Sequence, residues 1–444
     1  MNLKLRLIIL NFLQFAVWGA YLTSMGNYLG AVGLGSKIGL FYAMQGIVSI
    51  FMPAIMGIIA DRWIPAQKLL GICHLVAAVF LAAAGYYGMT SGSNVDFSTL
   101  FSLYSVSVAF YMPTIALSNS SAYGILVSNG FDTIKAFPPI RTLGTVGFIC
   151  AMLFVNFAGT LDGQFSISFA GDKNFLSFQN NYNQFFVSAI LGLLLFLYSF
   201  TLPNVSISNN KEKKSLSDAL GLKAFALFKE RKMAIFFIFS MFLGVSLQIT
   251  NGYANPFITS FKDIPEYTNT WGANNANALI SLSQVSETLC ILLIPFFLKK
   301  FGIKKVMLMS MFAWFLRFGL FGLGDPGSNV WMFILSMIVY GVAFDFFNVS
   351  GSLFVDKETS PEIRSSAQGV FMMMTNGFGA TLGMLVAGEV VNHFVFSKTD
   401  IIEQLKGWQT SWYIFAIYAL IIGILFAIVF RYKHSPEDAK NITH

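Results

Sequence analysis

The chain has 444 residues, 55% of them hydrophobic and only 11% charged, with a formal net charge of +7. Soluble domains carry about 25% charged residues, so this balance excludes an ordinary soluble globular domain and predicts an all-α integral membrane protein. Its three cysteines, Cys73, Cys150 and Cys290, lie in apolar runs without disulfide or metal spacing, which predicts a role in small core packing.

At roughly 35 residues per span and loop, the length suits twelve helices. The amino terminus has a basic start but no small-residue cleavage site after its apolar stretch, and reads as a retained first helix. Hydropathy and turn residues predict helices near 5–30, 36–60, 67–90, 97–127, 136–160, 183–203, 232–258, 273–298, 303–323, 329–355, 363–393 and 408–431. With the amino terminus in the cytoplasm, the outer segments hold only Lys37, Lys173, Lys262, Lys398 and Lys406. Nearly all other basic residues fall inside, so both termini are expected in the cytoplasm. That distribution accounts for the positive charge without a nucleic-acid partner.

The charged stretch 204–231, containing NNKEKKSLSDALGLKAFALFKER, divides the chain into a six-helix bundle at 1–203 and a second at 232–444 with a short cytoplasmic tail. Two matches suggest that the halves repeat in parallel. Pro53 precedes Asp61 and Arg62 as Pro295 precedes Lys304 and Lys305, which sets Gln45 opposite Glu287. PPIR at 138–141 opens one helix as PEIR at 361–364 opens another. The segment GIIADRW at 57–63 resembles the cytoplasmic motif of the major facilitator superfamily, where Asp and Arg brace a closed state. Ile64, Pro65 and Ala66 depart from that motif, so Asp61 and Arg62 read equally as a helix-end charge pair.

Residues 276–297 are long enough to span a bilayer, yet carry Glu287 midway. A charge facing lipid there costs roughly 2.5–3.5 kcal/mol on insertion scales, so Glu287 should face an aqueous cavity or a partner. Gln284 and Ser283 extend the same polar face, and Leu289, Ile291 and Leu292 cover the rest. Other apolar helices repeat the arrangement. Arg141, Thr145 and Phe148 are spaced i, i+4 and i+7, and Gln248 and Asn251 stand three apart. Tyr340 and Phe344 are one turn apart beside Asp345, a second deeply placed carboxylate, with Arg317 a candidate partner for it. Each group admits a packing reading, as interhelical hydrogen bonds or ring contacts, and a ligand-binding one. With no nucleotide-binding GxxxxGK[ST] pattern, an ion gradient is the expected energy source, and intramembrane acids favour protons.

The stretches MNLKLRLIILNFLQFAVWG, FPPIRTLGTVGF, ALFKERKMAIFFIFSMFLG, LQITN, SQVSETL, IPFFLKKFGIKKVM, SMIVYGVAFDFFNVSGSLFV and AQGVFMMMTNGFG are similar to the bacterial nucleoside:proton symporters of the major facilitator superfamily, most of all its broad-specificity branch. The resemblance implies a twelve-helix major facilitator fold that takes up purine and pyrimidine nucleosides, of the uridine, cytidine, adenosine and inosine type, with a proton as coupling ion and no cofactor. It implies a monomer in the bacterial inner membrane that works by alternating access through a cavity lined by both bundles. It places ligand contacts on Arg141, Thr145, Phe148, Gln248, Asn251, Gln284, Glu287, Tyr340 and Phe344, next to Asp345. Asp345 and Glu287 are the candidate proton sites. A sugar symporter of the same fold, or a receptor that senses nucleosides without moving them, would use similar polar groups.

Overall fold

The computed structural model describes residues 2–170, 175–204, 222–360 and 363–432. Residues 205–221 of the charged stretch, the tail from Lys433, Lys173, and Pro361 and Glu362 lie outside the described residues. The chain splits into two compact units, Met1–Ala219 and Leu220–His444.

The first unit contains α1 (Leu3–Gly19), α2 (Met25–Ala31), α3 (Ile38–Arg62), α4 (Ala66–Ser91), α5 (Phe97–Ser128), α6 (Thr133–Phe157) and α7 (Asn183–Ser199). The second contains α8 (Arg231–Ser260), α9 (Ala276–Phe301), α10 (Ile303–Leu323), α11 (Val330–Glu358), α12 (Arg364–Met372), α13 (Ala380–Val391) and α14 (Ile401–Val429). Two π-helical segments, Met373–Gly379 and Asn392–Phe396, continue α12 into α13 and extend α13. Among the described residues, ten helical stretches are long and apolar enough to cross a membrane, and Asn183–Ser199 is a shorter apolar helix. Their outward faces remain apolar, with Leu197, Leu292 and Ile428 exposed, as a lipid-facing surface requires.

The structure differs from the sequence expectations at several points. The first expected helix is interrupted between Gly19 and Met25, where the Leu22 carbonyl accepts from Tyr42 and Ser24 Oγ donates to Gln184 Oε1 at 2.9 Å. The Tyr42 phenol thereby satisfies a carbonyl that a continuous helix would satisfy internally. The chain is also not wholly helical. Ala158–Leu161 pairs antiparallel with Gln164–Ile167 and with Leu176–Ser177, in the order β2-β1-β3 for strands numbered along the chain. Asp162 (φ 50°) and Gly163 (φ 79°) form the two-residue turn between the first two strands, the left-handed pair that matches hairpin twist. The helix expected to open at PPIR begins earlier, at Thr133, with Pro138 and Pro139 inside it. Finally, Cys73 and Cys290 are buried as expected, but Cys150 is exposed on α6 and fills no core.

The first unit packs Leu7, Leu70, Cys73, Leu117, Ile125 and Leu195 into one apolar cluster. Aromatic rings fill much of the second. Phe321 stacks on Trp412 at 4.6 Å, and Phe236 packs against Phe354 at 4.6 Å.

At the start of α5 the Asp96 carboxylate caps the helix, accepting from the Thr99 amide at 2.8 Å. This bond, with the Thr99 hydroxyl, holds the Asp96 carboxyl below its ordinary pKa. Its contribution is complete above the unfolded carboxylate value of about 3.9 and is lost as pH falls through the lower folded value. The protection factor of the Thr99 amide, its exchange rate relative to an unstructured amide at the same pH, is therefore expected to fall on such acidification, and Asp96→Ala should reproduce that fall at neutral pH.

Candidate functional site

Helix α9 sorts its residues by face. Leu289, Ile291 and Leu292 point outward, Leu292 with 75% of its surface exposed, whereas Ser283 is buried and Gln284 and Glu287 are half-buried. The polar stripe of α9 therefore faces the interior of the second unit, where α11 runs beside it. Ser286 Oγ donates to the Ile338 carbonyl, and Ser283 Oγ lies 3.0 Å from Met337 Sδ.

One turn further along α11, Tyr340 stands at the centre of the polar groups. Its phenol lies near the Gln284 side chain and within electrostatic reach of Glu287, Arg317 and Asp345. Its ring stacks on Phe344 at 5.5 Å and 18°, the one-turn aromatic pair expected from the sequence, and meets the edge of Trp314 at 6.0 Å. Asp345 is only 5% exposed and lies near Cys290. Two carboxylates, an amide and a phenol thus converge within apolar helices. Together they can accept and donate hydrogen bonds to a hydroxyl-rich or heterocyclic ligand and hold an exchangeable proton.

Gln248 and Asn251 on α8 are half-buried and joined to each other, Asn251 Nδ2 donating to Gln248 Oε1 at 2.6 Å. That bond orients both amides on one face of α8. Arg317, suggested by the sequence as a partner of Asp345, directs its hydrogen bonds elsewhere, to the Ser336 carbonyl at 2.7 Å and to Ser283 Oγ at 3.4 Å.

In the first unit, the three α6 residues occupy one helical face. The Arg141 guanidinium lies 3.9 Å from the centre of the Phe15 ring, within cation–π range, and Phe148 meets Trp18 edge to face at 6.3 Å. Thr145 is half-buried between them in sequence. Asp61 and Arg62 are exposed in the last turn of α3.

Sequence reasoning missed a buried polar network in the first unit. Gln14 Nε2 donates to Thr114 Oγ1 at 2.7 Å, Gln14 Oε1 meets His74 Nε2 at 2.8 Å, and the Tyr111 phenol donates to the Gln14 carbonyl at 2.9 Å. The network joins α1, α4 and α5. Gln14 is an amide inside an apolar helix, the same signal that singled out Gln248, and would have pointed to it.

The chain matches the family described as Nucleoside H+ symporter over residues 1–435. It is 43% identical to the nucleoside permease NupG of Escherichia coli K12 across the whole of both chains, and 43% identical over the same span to the xanthosine permease of that organism. A crystal structure of the nucleoside transporter NupG superposes with a TM-score of 0.84 at 44% identity, covering 98% of this chain and 100% of that one. The D-xylose-proton symporter, at 14% identity and a TM-score of 0.67, covers 98% of each chain and shares the fold.

Proposed function

Because the chain belongs to the nucleoside H+ symporter family, we propose that it imports purine and pyrimidine nucleosides together with a proton across a bacterial inner membrane by alternating access. As a multi-pass transporter and not an enzyme, it makes and breaks no bond in its cargo. The observation that carries the reading is the convergence of Gln284, Glu287, Tyr340 and Asp345 inside apolar helices. Polar groups placed so deep are costly unless they meet one another or a ligand.

In this reading Gln248, Asn251, Gln284 and Glu287 hydrogen-bond base and ribose, Tyr340 and Phe344 stack on the base, and Glu287 and Asp345 exchange the proton. Arg141 and Thr145 add hydrogen bonds and Phe148 an apolar contact. Asp61 and Arg62 brace a closed state. The two 17-residue helices, Leu3–Gly19 and Asn183–Ser199, are at the lower length limit for spanning. Counted with the ten longer stretches they make twelve spans, in bundles at 1–203 and 232–444 with 204–231 between them. Both termini then lie in the cytoplasm, and the protein works as a monomer.

Equal identity to a nucleoside permease and a xanthosine permease makes substrate breadth the sharpest question. Competition for uridine uptake in proteoliposomes, with uridine, cytidine, adenosine, inosine, xanthosine, free bases and disaccharides as competitors, answers it. Inhibition by both purine and pyrimidine nucleosides is expected. Competition by xanthosine alone would remove the broad specificity, and competition by disaccharides but no nucleoside would remove the function.

A further inference from the structure

A sheet with one face in water turns its apolar side chains toward the protein and its polar ones outward. The small sheet after α6 has the opposite arrangement. Its register sets Thr160 opposite Phe165 and Leu176, and Ala158 opposite Ile167. Opposed residues share a face and alternate residues return to it, so Phe165, Ile167 and Leu176 lie on one side. They are 62%, 55% and 52% exposed, and Phe169, two residues beyond Ile167, is 66% exposed. Ser166, opposite Gly159, and Ser177, opposite Gly159 from the third strand, lie on the other side. That side faces the protein. Ser166 is half-buried and Ser177 is buried, with its Oγ 2.9 Å from the Val155 carbonyl and 2.7 Å from the Asn156 carbonyl in the last turn of α6. Serines inward and large apolar side chains outward is the alternation of a sheet whose outer face meets lipid.

Aromatic rings join this outer face to α6. Phe165 packs against Phe178 at 6.1 Å, Phe178 against Phe154 at 6.5 Å, and Phe169 against Phe157 at 4.7 Å. Phe154 is exposed and follows the exposed Val146 and Cys150 at one-turn spacing along α6. The face of the sheet therefore continues the outward apolar side of a membrane-crossing helix. Its depth follows from the chain. The apolar stretch Lys135–Phe157 has 23 residues, about 34 Å of helix against a hydrocarbon core of about 30 Å. The first strand begins at the next residue, Ala158, where the helix leaves the hydrocarbon. The sheet also ends in two edge strands, whose outer backbone groups need water or headgroups and are not tolerated deeper.

We propose that this sheet is a membrane-interface contact: Phe165, Ile167, Phe169 and Leu176 enter the boundary between headgroups and acyl chains at that end of α6, while the exposed Asp162–Gly163 turn stays in water. The occupant of the face is bilayer lipid, because the face bears no charged side chain and runs on from the lipid-facing side of α6. The contact fixes the depth of the helix that bears Arg141, Thr145 and Phe148.

The test places a nitroxide on a single cysteine, Phe165→Cys, Ile167→Cys or Asp162→Cys, each with Cys150→Ser to remove the exposed native thiol; Cys73 and Cys290 are buried. In vesicles of phosphatidylethanolamine and phosphatidylglycerol, collision of each label with oxygen, which partitions into lipid, is compared with collision with a nickel chelate, which stays in water. Oxygen is expected to collide more often than the chelate at 165 and 167, and less often at 162. The chelate prevailing at 165 and 167 would mean that the face lies in water and overturns the inference. Neither reagent reaching them would mean that protein covers the face, and line broadening that disappears on dilution with unlabelled protein would mean that a second copy does; either result overturns it too. Two labelled positions on the face keep the test open should one variant fail to fold.

Discussion

Glu287→Gln is expected to weaken uridine binding by about tenfold to a hundredfold, the equivalent of one hydrogen bond to a charged group at roughly 1.5–3 kcal/mol. Asp345→Asn is expected to leave binding nearly intact and to abolish accumulation against a gradient. The division follows from where the two acids lie. Glu287 is half-buried on the same face as Gln284, beside the Tyr340 phenol, where a ligand can reach it. Asp345 is 5% exposed and set back near Cys290, where a ligand reaches it less readily, which suits it to carry the proton. Calorimetry gives the affinities, and proteoliposomes separate gradient-driven uptake from counterflow, which needs no gradient. Loss of counterflow in Asp345→Asn, or gradient-driven accumulation by both variants, would remove the assignment of the proton to these acids.

Gly341→Ala should be nearly as damaging, although the substituted residue touches no ligand. A Cβ at Gly341 would stand 2.5 Å from the Ser286 carbonyl oxygen and 2.7 Å from Cys290 Sγ. The nearer of these is backbone and cannot swing aside, so α11 must move away from α9. Overpacking of this kind costs about 1–3 kcal/mol, and the displacement also separates Tyr340 from Gln284 and strains the bond from Ser286 to the Ile338 carbonyl. A fall in melting temperature of a few degrees and a loss of uridine affinity of at least about tenfold are expected together. Gly369→Ala is the control, since a Cβ there meets nothing within 4 Å, and it should behave as wild type. Wild-type affinity in Gly341→Ala would mean that the close approach of α9 and α11 does not shape the site.

The membrane-spanning character of this chain was legible without coordinates, because apolar runs of about twenty residues have few alternatives to a bilayer. Expected boundaries at 97–127 and 303–323 fall beside the observed Phe97–Ser128 and Ile303–Leu323. The polar residues worth attention were legible as well. An acid or amide in such a run is costly in lipid, which is what singled out Gln284, Glu287 and Asp345. Membership of the nucleoside symporter family could be read from long ordered stretches such as SMIVYGVAFDFFNVSGSLFV.

What a single strand of letters left open was orientation around each helix axis and the partner each polar group finds. Cys73, Cys150 and Cys290 look alike in hydropathy, yet α6 turns Cys150 outward while α4 and α9 turn the other two inward. Arg317 gave no sign that its bonds would go to Ser336 and Ser283 instead of an acid. Burial in lipid depends on composition, which the sequence states outright. Hydrogen-bond partners depend on which faces of distant segments meet, so the break at Gly19, the small sheet after α6 and the setting of Arg317 were decided only by tertiary packing.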